Sequence, residues 1–440
     1  MSTSAAAAAA TGKDGYGDEP WSDRSLENYV VRAKHPFNAE VKLDKLVEHF
    51  VTPTERHFRR NHGPIPNIDG DAWTMTVEIN TRRPSVRKSV HTVALADLRR
   101  LRQFDVVAVL ECAGNRRDGL KAIKPVNGVI WGAGTASNSQ WGGCRLRDVL
   151  VAAGVPASLS DPFYDTPRHV EFAAYGDASD DVHYASSIPL GWAMNPLNMV
   201  LVATEMNGQP LLRDHGFPAR IVAPGLIGAR WVKWLRYIRV QDHESDCFYQ
   251  KRDYKILPPM ANEANCEAFW PRFPALMELN IQSAICRPAP DEQLVVGMPY
   301  LARGYALTGG GRAVDRVEIS LDDGATWDLA QVFCISAKHG SASSSISSSS
   351  SSDGSDGSWA GDDVSSSDDG QRDWSTRQWS WVLWAYQISR VPASCTIACR
   401  AWDSGGNTQP AAAVWNYRGV MNNSVFRVHP KVEPSRGGKL

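Results

Sequence analysis

The chain has no long apolar run. No stretch approaches the ~18 consecutive apolar residues a transmembrane helix needs, so no membrane partner is expected. It also lacks net charge: 47 Lys and Arg stand against 48 Asp and Glu, a formal charge of -1 over 440 residues. A chain-wide basic field for nucleic acid is therefore excluded, while local cationic pockets remain open. Closely paired cysteines are missing as well. Cys112, Cys144, Cys247, Cys266, Cys286, Cys334, Cys395 and Cys399 form no CxxC pair. This spacing argues against a zinc ribbon, a thioredoxin-type site or a dense disulfide framework. Most of these thiols read as small core hydrophobes in a reducing compartment. A dinucleotide fingerprint is absent, since Gly309-Gly310-Gly311 sits in a hairpin context rather than a βαβ unit. At the N-terminus the alanine run is short and has no basic residue before it, so no secretory signal is expected. The first arginine, Arg24, follows several acids, which argues against a mitochondrial presequence. Gly438-Lys439-Leu440 comes near the Ser-Lys-Leu address but departs at its first position, so the expected location is peroxisomal or cytoplasmic.

What is present is enough for two folded regions. Hydrophobic residues make up 43% of the chain, and 16 are Trp, which implies large buried rings or aromatic-lined clefts. Residues 1–27 are expected to be disordered. From 28 to 281 short strand candidates (74–79, 106–110, 199–203) alternate with short helix candidates (94–101, 146–153) and Pro-rich loops. This pattern predicts an α+β domain. From 282 to 435 the pattern becomes strands separated by turns: 300–307, 314–321, 332–335, 379–388 and 395–402. It predicts an immunoglobulin-like β-sandwich. Within it, 341–370 is half serine with no Lys or Arg, and cannot bury enough apolar surface to order itself. It reads as a disordered insertion between two strands.

Three segments could carry chemistry. Glu111-Cys112-Ala113-Gly114-Asn115-Arg116-Arg117 follows a buried-strand candidate. The nearby arginines favour the thiolate of Cys112, a soft metal ligand. A core thiol beside solvated arginines is the other reading. Arg59-Arg60-Asn61-His62-Gly63-Pro64 is either an anion-holding loop or an exposed basic turn. Arg213 to Arg220, with Gly228-Ala229-Arg230-Trp231-Val232-Lys233-Trp234 after it, interleaves cations with apolar residues, as a buried anion site would. Together they point to a phosphate-bearing ligand. A Cys-dependent hydrolase, with Cys112 as nucleophile and His62 or His215 as base, is a different class that the same residues allow.

These runs, with Glu205-Met206-Asn207-Gly208, together resemble the sulfite oxidases, and in particular the plant type without a haem domain. No His-Pro-Gly-Gly haem motif appears: His35-Pro36 continues as Phe37-Asn38. The resemblance spans roughly 28–430. It implies a mixed α/β molybdopterin-binding domain and a sandwich dimerisation domain, a molybdopterin molybdenum cofactor and no haem. It implies Cys112 as the molybdenum ligand, with cofactor contacts at Phe58, Arg59, Arg60, Asn61, His62, Asp177, His215, Arg220, Trp231, Val232 and Lys233. Substrate-facing residues would be Arg60, Arg117, Arg418, Trp131 and Tyr254, with Arg418 supplied by the second domain. The implied activity is oxidation of sulfite to sulfate with dioxygen as acceptor, giving hydrogen peroxide, in a homodimer. The molybdenum domain of eukaryotic nitrate reductases shares the cofactor motifs. Those enzymes typically carry Met at the position of Arg418 and lack the Asp-Tyr-Lys run around Tyr254.

Overall fold

The computed structural model describes residues 15–81, 88–335, 364–366 and 378–434. The chain divides into two compact units. The first holds Met1–Val41, Thr54–Leu279 and Val414–Asn422; the second holds Lys42–Pro53, Asn280–Ala413 and Asn423–Leu440.

The strands of the first unit, in chain order, are β1 (Tyr29–Ala33), β2 (Asn38–Val41), β3 (Thr74–Asn80), β4 (Ser89–Ala94), β5 (Gln103–Glu111), β6 (Ala136–Arg145), β7 (His169–Ala174), β8 (Ala185–Pro189), β9 (Leu201–Met206), β10 (Gln209–Pro210), β11 (Arg220–Val222) and β12 (Leu235–Gln241). One sheet runs β4-β3-β12-β7-β8; the other runs β10-β9-β6-β5, with β11 also paired to β9. Short helices Leu95–Arg100 and Leu146–Ala152 fall where helical spacing predicts them. β3 alternates, with Met75, Val77 and Ile79 buried, as a strand with one covered face should. β5 begins partly exposed and ends on buried Ala108, Val109, Leu110 and Glu111, so its C-terminal end delivers Cys112 into the interior.

The ten-residue strand β6 went unread in the sequence because it carries Ser, Asn and Gly rather than β-branched residues. Its position explains the composition. It lies between β5 and β9, buried on nearly every residue. A Cβ on Gly143 would sit 2.3 Å from the Val202 carbonyl oxygen, so only glycine permits this approach.

The second unit contains β13 (Gln282–Arg287), β14 (Gln293–Val295), β15 (Tyr300–Leu307), β16 (Val314–Ser320), β17 (Asp328–Leu329), β18 (Gln331–Ile335), β19 (Val364–Ser366), β20 (Val382–Ile388), β21 (Ile397–Asp403), β22 (Phe426–Val428) and β23 (Lys431–Glu433). Sheets β13-β15-β20-β18-β19 and β17-β16-β21-β22 share one core. Ile285, Ala302, Val382 and Trp384 from the first sheet pack with Val317, Ile319, Ile397 and Cys399 from the second. This is the face-to-face sandwich expected from period-two patterning.

Several expectations change. Residues 15–27 are not a disordered leader: they form two short 3-10 turns, and Arg24 is buried between Glu19 and Asp214. Arg418 is not contributed by the sandwich. Its segment, Val414–Asn422, belongs to the first unit, held there by specific bonds. Trp415 Nε1 donates to the Lys124 carbonyl at 3.0 Å, Asn422 Nδ2 to the Arg116 carbonyl at 2.8 Å, and Met421 N to the Ala113 carbonyl at 2.7 Å. The Ser/Asp-rich insertion 341–370, apart from 364–366, and the terminal Gly438-Lys439-Leu440 lie outside the described residues. Among the described residues no helix is long and apolar enough to cross a membrane.

The sandwich tolerates no side chain at Gly304, where a Cβ would lie 2.0 Å from the Ala284 carbonyl oxygen and 2.4 Å from the buried Trp384 ring. Gly304→Ala is expected to cost about 3 kcal/mol. Denaturant unfolding followed by Trp fluorescence checks this, and an unchanged midpoint would contradict the packing.

Candidate cofactor and substrate site

The first unit contains a cleft whose open space, mouth included, is about 810 Å³. Its walls come from stretches distant in sequence: 57–63, the end of β5 with Cys112, 174–178 from the end of β7, Tyr184 before β8, β11 with the loops flanking it, and Tyr254 after β12. Of the residues named from sequence, Phe58, Arg60, Asn61, His62, Cys112, Asp177, His215, Arg220, Trp231, Val232, Lys233 and Tyr254 all line it.

Cys112 is buried one residue past β5. Its N–H donates to the Thr135 carbonyl at 3.0 Å, and its Sγ lies 3.4 Å from Gly114 N. Arg117 is buried, donating to the carbonyls of Gly419 (Nε, 2.9 Å) and Val129 (Nη1, 2.6 Å). Burial lowers its pKa, Cys112 beside it raises it, and Arg60 lowers it. Arg418 is ion-paired with buried Asp253, the residue before Tyr254. Burial, Arg117 and Arg60 push Arg418 down to about 10. It stays charged at neutral pH. Tyr254 Oη lies 3.0 Å from His62 Nε2. Burial raises the Tyr254 pKa, Arg60, Arg117 and Arg230 oppose that, and Cys112 adds to it. The shifts of Arg117 and Tyr254, each with Arg60 and Cys112 among its causes, mark these four residues as one electrostatic cluster.

A second cluster lines the loops around β11. Arg220 donates to the carbonyls of His215 (2.9 Å) and Trp231 (3.2 Å), and burial pushes it down to about 9. Lys233 Nζ donates to the carbonyls of Arg60 (3.1 Å) and Asp214 (2.8 Å) and to Asn61 Oδ1. Burial first, then Arg220, lowers its pKa well below the usual lysine value.

Four residues do not stand in the cleft wall where the resemblance put them: Arg59, Arg117, Trp131 and Arg418. Arg117 and Arg418 lie behind the wall and act on its His62 through their charge, Arg117 also on Tyr254. Arg59 does not line the cleft; its Nε lies 3.3 Å from Asp214 Oδ2 and its Nη1 2.5 Å from His215 Nε2, so its charge is spent behind the wall. Trp131 is fully buried and does not line the cleft; its backbone carbonyl accepts from Asp118 N at 3.0 Å. Sequence reasoning missed His57 and Tyr184 in the wall and Asp253 behind it. His57 directly precedes the Phe58 loop, which was the available signal. Nothing local pointed to Tyr184.

The donor set fits a phosphate-bearing, thiol-anchored cofactor. Among the described residues, Arg60, Arg117, Arg220 and Lys233 donate to carbonyl and amide oxygens and to no carboxylate. Buried cations without counter-anions call for an anionic guest. The hydrolase alternative is not assembled: His62 Nε2 faces Tyr254, His215 Nε2 faces Arg59 and the Thr54 carbonyl, and neither bonds Cys112.

Comparison with known proteins agrees. A family model described as an oxidoreductase molybdopterin binding domain matches residues 62–249, and one described as a Mo-co oxidoreductase dimerisation domain matches residues 274–433. Arabidopsis thaliana sulfite oxidase is 38% identical over 422 residues, 95% of this chain and 96% of that one. Human mitochondrial sulfite oxidase is 37% identical over 426 residues, 96% of this chain and 68% of the relative. An inducible NADH nitrate reductase of Glycine max is 35% identical, over 95% of this chain and 44% of its own length. Among solved structures, the sulfane dehydrogenase SoxCD of Paracoccus pantotrophus shares the fold, at TM-score 0.66 and 20% identity over 92% of this chain and 89% of that one. The two matched domains in this order define a molybdopterin-binding oxidoreductase with a dimerisation domain. Within that class, the chain belongs to the sulfite oxidase family.

Burial and neighbouring cations hold His57, His62 and His215 neutral, each well below the ordinary 6.5. The unfolded chain protonates these rings near that value. It therefore binds more protons than the folded chain below about pH 6.5, and stability falls as pH drops through that point. Urea unfolding of the cofactor-free protein is expected to show a lower midpoint at about pH 5.5 than at about pH 7.5, a window above most carboxylate titration. Equal midpoints would mean the rings are not held neutral.

Proposed function

We propose that the chain oxidises sulfite to sulfate using a molybdopterin molybdenum cofactor, with dioxygen as electron acceptor. Sulfite, water and dioxygen then give sulfate and hydrogen peroxide. The observation that carries this reading is the cluster of Arg60, Arg117 and Arg418 with Tyr254 beside Cys112. Sulfite is a small anion, and a partly dry pocket with several fixed cations binds it without having to reorganise.

The cleft residues fit the cofactor's parts by chemistry. The Cys112 thiolate suits molybdenum, and Asn61, His215, Arg220 and Lys233 suit the phosphate and pterin. When bound, the cofactor supplies two-electron redox chemistry with oxygen-atom transfer. Everything else falls to the chain. Arg60, in the cleft wall, donates to the substrate anion, and Arg117, behind the wall, adds its charge; among the described residues neither is ion-paired to a carboxylate. Arg418 joins them while Asp253 fixes its guanidinium. Tyr254 keeps its proton through neutral pH and offers it to a substrate oxygen or shares it with neutral His62. The second unit pairs two chains into a homodimer, which is the reading its dimerisation-domain match supports.

Nitrate reduction is the competing reading, supported by the Glycine max relative. Arg418 and the Asp253-Tyr254-Lys255 run weigh against it. The deciding assay supplies sulfite to the purified holoenzyme with and without air. Expected are sulfite-dependent oxygen uptake and one peroxide per sulfate formed. Sulfite oxidation that proceeds only with an added electron carrier would reject dioxygen, and nitrate turnover without sulfite turnover would reject the whole reading.

Arg418→Met removes one charged donor. The loss of a hydrogen bond to a charged partner predicts about a 10- to 100-fold rise in KM for sulfite, with the cofactor retained. An unchanged KM would take Arg418 out of the substrate pocket.

A further inference from the structure

We propose that residues 18–24, ahead of β1, are a clamp that shapes the cofactor cleft, with Arg24 as its positioning residue. This segment lies outside the stretch 62–249 matched by the molybdopterin-binding family model. Sequence alone marked it as disordered, yet it holds one of the most fully buried ion-pair networks among the described residues. Arg24 Nε donates to Asp214 Oδ2 at 2.8 Å and its Nη2 to Asp214 Oδ1 at 3.1 Å, a two-point grip on one carboxylate. The same Nη2 donates to Glu19 Oε2 at 2.5 Å. The guanidinium lies over the rings of Phe37 at 3.9 Å and Trp21 at 4.6 Å. The side chains of Arg24 and Asp214 are both 0% exposed. One residue earlier, Arg213 Nη2 donates to the Asp18 carbonyl at 2.8 Å and to Asp18 Oδ2 at 3.2 Å. Asp18, Glu19 and Arg24 thus hold or brace two consecutive residues of the turn Arg213–His215.

That turn aims the cleft's cations. The Asp214 carbonyl accepts from Lys233 Nζ at 2.8 Å, and the His215 carbonyl accepts from Arg220 Nη1 at 2.9 Å. The Asp214 carboxylate also lies 3.3 Å from Arg59 Nε, and Arg59 in turn meets His215 Nε2. The physical consequence is a division of charge. Arg24 and Arg59 occupy the Asp214 carboxylate oxygens, so Lys233 feels that carboxylate only through space and keeps its ammonium hydrogen-bonded to carbonyl and amide oxygens at the cleft wall. Remove Arg24, and a dry carboxylate with one partner draws Lys233 away from the space where an anion would sit. Asp18, Glu19 and Arg24 touch no cleft-lining atom except through this turn, so Arg24 acts at a distance from the guest. Its influence is on cofactor retention rather than on sulfite.

The inference rests on the molybdopterin cofactor of the reading above and not on its substrate. The test compares full-length wild type, Arg24→Met and Arg24→Lys, each produced under cofactor-replete conditions. Readouts are molybdenum per chain by metal analysis, pterin per chain by fluorescence after oxidative release, and thermal midpoints of loaded and stripped protein. Expected for Arg24→Met is about a tenfold loss of molybdenum and pterin per chain, the scale found when groups that orient metal ligands are removed. Arg24→Lys recovers part of that loss; the stripped Arg24→Met chain unfolds below stripped wild type because Glu19 and Asp214 lose a buried partner, and the loaded chain falls further still. Wild-type cofactor content in Arg24→Met overturns the proposal. So does an equal drop in the midpoints of loaded and stripped protein, which would make Arg24 ordinary structural support. If Arg24→Met yields no soluble chain, Arg213→Ala carries the test through the more exposed Asp18 link, and full cofactor content there overturns the clamp. A wild-type chain free of molybdenum and pterin would instead overturn the cofactor reading itself.

Discussion

Positive charge held in a dry interior without a matching carboxylate is the constraint around which the first unit is organised. Taking an ion out of water costs several kcal/mol even after relaxation, and carbonyl dipoles return only part of it. Arg220, Lys233 and Arg117 accept that cost with carbonyl and amide partners alone. Arg24 and Arg59 do not, because Asp214 neutralises both. The unit therefore contains two populations of buried cation: one satisfied within the protein, the other short of an anion. Of the second population, Arg220 and Lys233 line the cleft that also exposes Cys112, and Arg117 lies behind its wall within electrostatic reach of that thiol. A guest that is anionic at one end and thiophilic at the other resolves the imbalance.

The scaffold explains how such a site is held rigid. Cys112 is placed by the fully buried end of β5, which pairs along its length with β6. The arginines and histidines come from loops whose backbones are pinned by side chains, as Asn38 pins Asn61 through the Asn61 N–H at 3.0 Å. Arg418 arrives on a short excursion, Val414–Asn422, that leaves the sandwich's part of the chain and packs in the first unit. Carrying Arg418 on such an excursion, rather than on the sheet framework, ties it to the first unit through its ion pair with Asp253.

The proton inventory follows from the same electrostatics. A histidine crowded by Arg60, Lys233, Arg418 and Arg117 cannot hold a second proton at neutral pH, so His62 serves as a neutral partner for Tyr254 rather than as a cation. Tyr254 is subject to opposing effects: burial and Cys112 favour the phenol, and the arginines favour the phenolate. An anion binding among those arginines would shift that balance toward the phenol, coupling substrate charge to the proton beside it.

The amino-acid sequence by itself pointed to the class of both folded regions through local signals: period-two strands and short helices of clear spacing. Runs of cations broken by glycine and apolar residues marked three stretches of the site, and the family resemblance added single positions such as Asp177 and Tyr254; half of the cleft's lining was named in this way. It could not show β6, whose small polar residues look like a loop until two neighbouring strands close on them. Nor could it separate Arg59 from Arg60, adjacent residues of one type, one of which is cancelled by a carboxylate from 155 positions further along while the other faces the cleft. The same holds for the ordered segment around Arg24 and for the unit that receives Arg418. Each of these depends on which opposite charge or backbone carbonyl lies nearby in space, and burial sets that energy, so only the tertiary structure decides it.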